Sequence, residues 1–272
     1  MIYTSNLVVG LEKGLDAPEM LQTIADVTHT GVEFFLHTYD PEYVRKTALI
    51  PEWLGQRPRT THGPFIGVEA SSPEGSADHT AMLEAYRYGF DTARALGSHH
   101  LVFHTHQRVI LPEEKEQAQA WCFHSIEQLL EMSRETGVTL LIENLGIQKK
   151  GISLFDEQDF IALVERYPEA GCLIDIGHLH VAGWDMEHVL HTLENRILGY
   201  HLHNNNGIDD SHHRLLDGTL DAEKFMELYR RYTPKADLTL EYGDQYGITA
   251  NDVIDDIRWI QNRLHDVTKP QG

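Results

Sequence analysis

Cysteine is scarce in this sequence. The two present, Cys122 and Cys172, form no CxxC pair. That argues against a disulfide framework or a thiolate zinc site and suits a reducing cytoplasm, which is the expected location. Basic residues are also short: 22 Lys and Arg stand against 42 Asp and Glu, a net charge of −20. DNA backbones and anionic membrane surfaces draw cations, so neither is an expected partner. Lys149-Lys150 and Arg230-Arg231 are doublets rather than a basic groove. No apolar run approaches the roughly eighteen residues of a membrane span. Residues 1–6 lack the basic-then-apolar pattern of a secretory leader, and none is expected. The loop Gly10-Leu11-Glu12-Lys13-Gly14 is neither GxGxxG nor GxxxxGK[ST], which weighs against an open nucleotide-binding sheet.

Short apolar runs alternate with longer amphipathic stretches. Eight runs have strand character: 2–9, 31–36, 59–65, 100–106, 138–144, 171–177, 197–203 and 238–243. Between them, Met20, Ile24 and Val27 are expected to share one helix face. Trp121, Ile126, Leu129 and Met132 repeat at helical spacing downstream. Gly97 and Gly137 stand where left-handed helix caps belong. Eight strand–helix units without a composition break predict an α/β protein, a single (β/α)8 TIM barrel spanning residues 1–272. A barrel of about 250 residues suits this length.

Chemistry collects at the strand ends. Glu33 lies on the second strand, His62 follows the third, and His104 and His106 follow the fourth. Glu143 ends the fifth, and Asp175 and His178 the sixth. His201, His203, Asp210, His212 and His213 belong to the seventh, and Glu241 to the eighth. In a barrel these ends form one mouth. Imidazole and carboxylate are ligands for zinc, manganese or iron, and a bound cation relieves the cost of burying carboxylates. Taken singly, a strand-end histidine is more often a hydrogen-bonded structural residue than a ligand, and Glu143 or Glu241 alone fits an ion pair to a neighbouring strand as well as a metal. The convergence, not any one residue, carries the metal reading. His79, His99, His100, His124, His188 and His191 have no supporting pattern and are read as solvated surface residues. Phe34, Phe35 and Phe103 are read as core.

The ordered set IEN (142–144), DIGH (175–178), HLHNNNG (201–207) with DSH (210–212), and LEYG (240–243) resembles the xylose isomerase-like TIM barrels. That superfamily joins sugar isomerases and epimerases with endonuclease IV. The resemblance covers nearly the whole chain. In the epimerase-type branch it implies one metal held by Glu143, Asp175, His201 and Glu241, with Glu143 and Glu241 also acting as the acid and base. In the endonuclease IV branch it implies three metals. His62, His104 and Glu143 would hold one. Asp175, His201 and Glu241, with Glu143 bridging, would hold the second, and His178, Asp210 and His212 the third. His201 is expected as the ligand, with strand alternation turning His203 to the other face. His203, Asn204 and Glu33 are expected to contact substrate. The turn Arg214-Leu215-Leu216-Asp217-Gly218 departs from the family's xLGEG, with Leu216 for Gly and Asp217 for Glu.

Up to three divalent ions are therefore expected, zinc first, with manganese or iron(II) as alternatives. His62, His104, Asp210 and His212 are surplus to a one-metal isomerase and needed by a trinuclear hydrolase. The leading expectation is hydrolysis of a small phosphoester. The alternative is isomerisation or epimerisation of a sugar or sugar phosphate by Glu143 and Glu241; the Arg that ketose epimerases tend to carry six residues after the seventh-strand His is replaced here by Gly207. DNA repair is disfavoured by the charge and by the short interval from His201 to Asp210. A small molecule is the expected substrate, and a homo-oligomer is compatible with the sequence.

Overall fold

The apolar runs form eight parallel strands that close on themselves in chain order. The computed structural model describes residues 1–11, 15, 18–38, 40–146 and 152–265. Residues 12–14 of the first loop, residues 16–17 and Lys149-Lys150 lie outside the described residues. The strands are β1 (Ile2–Ser5), β2 (Gly31–Phe35), β3 (Arg59–His62), β4 (His100–His104), β5 (Thr139–Glu143), β6 (Gly171–Asp175), β7 (Ile197–Leu202) and β8 (Asp237–Leu240). Most stop short of the C-terminal end of their apolar run. The tails turn away to make the mouth: residues 6–9 form a 3-10 turn after β1, and Ile176 opens a helix directly after β6.

The helices are α1 (Glu19–Thr28), α2 (Pro41–Thr47), α3 (Ile50–Leu54), α4 (Ala77–Leu96), α5 (Lys115–Thr136), α6 (Glu157–Arg166), α7 (Ile176–Ala182), α8 (Met186–Thr192), α9 (Ala222–Tyr232) and α10 (Ala250–His265). Gly97 and Gly137 end α4 and α5 at φ +71° and +73°, where a Cβ would be strained. Each cap N–H returns to the helix, to Ala93 and Arg94 or to Ser133. The apolar face of α1 differs from the expected one. It is Leu21, Ile24, Ala25 and Thr28, while Val27 is 46% exposed. His79 is buried rather than solvated, its Nε2 2.8 Å from Gln128 Oε1. His100 is half-buried, and burial lowers its pKa.

Strand alternation divides the core. Phe103, Ile142, Ile174 and Tyr200 belong to the large cluster between sheet and helices. Val102, Leu141 and Leu173 form a separate small plug. Two residues farther along the same strands, and so on the same face, come His104, Glu143 and Asp175. The polar site therefore rests directly on an apolar floor.

Candidate metal centre

Register decides who meets whom. His104 pairs with Glu143 across β4 and β5, and Asp175 with His201 across β6 and β7. Glu241, one residue past β8, continues the ladder through its N–H to Leu202 O at 3.1 Å. The result is a buried quartet, Glu143, Asp175, His201 and Glu241, each offering a ligand atom within 4.8 Å of the others. His201 Nδ1 lies 3.0 Å from Glu143 Oε1, 3.0 Å from Glu241 Oε2 and 3.9 Å from Asp175 Oδ2. One nitrogen carries at most one proton, so three carboxylates cannot all be satisfied by it. Glu241 Oε2 is buried and makes no hydrogen bond. An orphan carboxylate oxygen beside two more carboxylates and an imidazole fits a divalent cation.

The histidines are oriented for this role by the nitrogen that does not face the cluster. Nε2 of His201 is 3.0 Å from Glu33 Oε1. Nδ1 of His62 lies 2.8 Å from Gly63 O, Nδ1 of His178 lies 2.9 Å from Asn144 O, and Nδ1 of His212 lies 3.0 Å from Glu241 O. An oxygen acceptor at one ring nitrogen fixes a proton there, so that the other nitrogen can offer a lone pair when a cation takes the place of its proton, the usual outer support of a metal-bound imidazole. Burial opposes charge on His201, but Glu241, Glu143 and Glu33 outweigh it and hold its pKa well above the ordinary value. Burial likewise opposes charge on Glu143 and Glu241, and the neighbouring imidazoles, His201 foremost, hold both below the usual carboxylate range. The quartet thus remains anionic and demands positive charge.

Two further groups adjoin the quartet. His62, His104 and Glu143 converge, with His62 Nε2 3.1 Å from His104 Nε2, which is 2.9 Å from Glu143 Oε2. Burial lowers the His104 pKa despite Glu143. His178, His203, Asp210 and His212 form the other group. Asp210 Oδ2 lies 3.1 Å from His178 Nε2 and 3.4 Å from His212 Nε2. Burial disfavours a charged His212, but Asp210, Glu241 and Asp175 raise its pKa to about 9. An antiparallel bridge between Asn204 and His213 folds this loop back, and His212 takes a left-handed φ of 47°.

Three expectations change. His203 does not turn away: residues two apart on a strand share a face. Its Nε2 lies 3.0 Å from Asp175 Oδ1, and its ring stacks on His212 at 3.9 Å. Asn204 is spent inside the protein, its amide donating to Leu215 O and Leu220 O and its oxygen accepting from Asn205 and Leu220 N–H groups. Glu33 is 1% exposed and supports His201, away from the cleft wall. In the altered turn, Gly218 packs against Asn204, where a Cβ would sit 2.2 Å from its Oδ1. Leu216 is 44% exposed and Asp217 is exposed.

Sequence reasoning missed Glu69, whose carboxylate accepts from Ser71 N and Oγ and from the N–H groups of Gln107 and Arg108 at 2.6–2.9 Å. That brace ties the β3 loop to the β4 loop and places the Gln107 amide 2.7 Å from His104 Nδ1. It also missed Asn6 and Tyr43, which hold the Phe35 backbone so that its ring stacks on His62 at 4.0 Å. The only sequence signal for either is a polar residue inside an apolar stretch.

A cleft of about 550 Å³ opens above the groups, lined by His104, Gln107, His178, Asp210, His212 and Glu241 among others. A hollow of about 720 Å³ at the opposite end, lined by Ile2, Tyr229 and Leu264 among others, contains no such ligand group among the described residues.

Known proteins share this architecture. A Thermus thermophilus protein solved after soaking with ZnCl2 superposes with a TM-score of 0.74 at 20% identity, covering 99% of each chain. D-allulose 3-epimerase from a Methylomonas species superposes with a TM-score of 0.76 at 16% identity, covering 97% of each chain. An uncharacterized protein of Methanocaldococcus jannaschii is 26% identical over 109 residues, 39% of this chain and 37% of that protein. The chain thus aligns with little more than a third of that relative's length. No helix among the described residues is long and apolar enough to cross a membrane. Residues 16–263 match the family described as the xylose isomerase-like TIM barrel, and with a closed eight-stranded parallel barrel underneath that match, the chain belongs to this family.

Proposed function

We propose that this chain is a divalent-metal-dependent isomerase or epimerase of a small sugar or sugar derivative. The observation that carries the reading is the quartet. Glu143, Asp175, His201 and Glu241 come from four successive strands onto one point, with His201 aimed by Glu33. A cation bound there would polarise a carbonyl and neutralise the carboxylates. Glu241 lines the cleft with an unbonded oxygen, and Glu143 reaches the same His201 nitrogen. One of this pair takes a proton from the carbon beside the substrate carbonyl, and the other returns one. The neighbouring imidazoles favour the carboxylate form of both, so one accepts the substrate proton and the other first takes from solvent the proton it returns. The structural likeness to an epimerase supports this choice over the phosphoester hydrolysis expected first.

Hydrolysis is the second reading. It is favoured by the two extra ligand groups, which a one-metal isomerase does not require. Protein loaded with zinc or manganese and incubated with a ketose panel in D2O tests the choice. Deuterium entering carbon-bound positions beside the carbonyl is the expected result. Phosphodiester or phosphomonoester turnover without deuterium uptake would replace the first reading with the second. Zinc, manganese and iron(II) remain the proposed ions, with metal analysis as the discriminating measurement.

A further inference from the structure

The upper wall of the cleft has a composition the proton-transfer chemistry does not use. Leu7, Phe35, Phe65, Val109, Leu145 and Ile208 each come from the end of a different strand, β1 to β5 and β7, and together they line the cleft. Among the described residues that line it there is no lysine or arginine. Ile208 is 77% exposed and Val109 41% exposed. Ile208 is held at the mouth by a built turn, since its N–H and that of Asp209 both donate to Asn206 Oδ1 at 2.9 and 2.8 Å. Phe65 packs edge-on to Phe35 and 5.2 Å from the His104 ring, so the apolar wall runs down to the polar floor.

Resting on the isomerase reading, we infer that the substrate is an uncharged sugar bearing an apolar alkyl or aryl substituent, not a sugar phosphate. The sugar lies on the carboxylate–imidazole floor and the substituent against the six apolar side chains. With one divalent cation at the quartet its three carboxylates still leave the floor negative, and no guanidinium or ammonium in the described wall receives a phosphate, whereas an apolar group would cover Ile208 and Val109, which are otherwise left in water. The cleft falls within the roughly 300–1,000 Å³ that holds drug-sized ligands, which leaves room beyond one hexose.

Calorimetry on the zinc-loaded protein tests this with parent keto sugars, their phosphates, and their phenyl and hexyl glycosides in which the carbonyl lies off the glycosidic carbon and stays free. The expected result is binding of a glycoside about tenfold tighter than its parent, with the phosphate no tighter than the parent, and loss of most of that advantage in Ile208→Ser. Val109→Ser, also at the exposed rim, is expected to lose part of it. A phosphate that binds more tightly than its parent, or glycosides that gain nothing, overturns the inference. So does an unchanged preference in both variants. If free sugars then still take up deuterium from solvent, only the substrate class falls. If no sugar binds at all, the isomerase reading falls with it.

Discussion

The mouth holds two ligand groups of different construction. The quartet stands on or directly beside strands, and its members are between 0 and 4% exposed. The group of His178, His203, Asp210 and His212 is borne by α7 and the β7 loop, with the side chains of Asp210 and His212 35% and 19% exposed. Strand-borne ligands inherit their spacing from sheet hydrogen bonds. Loop-borne ligands depend on local braces such as Asn204 and the bridge to His213. The first group is therefore placed by sheet geometry, and the second by loop contacts.

The largest expected break in this comparison comes from Glu143→Gln. It should lower solvent-deuterium exchange by about 10²–10⁴-fold, and unchanged exchange would remove Glu143 from proton transfer. Next is Glu33→Gln, which keeps an oxygen acceptor for His201 but deletes the charge. Competition with a chelator should show zinc affinity at the quartet falling by about 10–100-fold, with a smaller fall at the loop-borne group. Removing metal with EDTA should lower the midpoint of thermal unfolding, by an amount corresponding to about 4 kcal/mol when free zinc had exceeded Kd about a thousandfold; a coincident melt would show that no ion binds the native state. Glu69→Gln should cost about 1–3 kcal/mol in urea unfolding, because one of its acceptor positions becomes a donor facing backbone N–H groups. The smallest effect is expected from His212→Ala: deuterium exchange within about threefold of the parent, with fewer zinc ions per chain by elemental analysis. Loss of all turnover in that variant would favour the hydrolase reading instead.

The barrel was legible because β4, β5 and β6 are apolar runs broken by a polar residue at the same end. The ligand residues were legible because a carboxylate ending an apolar strand needs a partner. Their grouping was drawn from family resemblance, and the side-chain convergence now gives it a physical basis. What stayed hidden depends on chain segments meeting across loops. Glu69 finds Gln107 and Arg108 only after β3 and β4 align. Asn204 reads as a polar mouth residue until the loop returns through Leu215 and Leu220 to consume it. His203 follows from strand geometry alone, since two steps along a strand restore the face of His201. Val27 and His79 failed because helical spacing marks a stripe without fixing its edges.

Glu241 offers its side chain to the quartet and its carbonyl to His212 Nδ1, while Gly243 N–H bonds His212 O at 3.0 Å. The loop that carries His212 and the strand end that carries Glu241 are thus latched at a shared hinge pin. Whatever straightens one straightens the other, so filling the deeper group should sharpen the geometry of the shallower one, and successive zinc equivalents should titrate as linked rather than independent events.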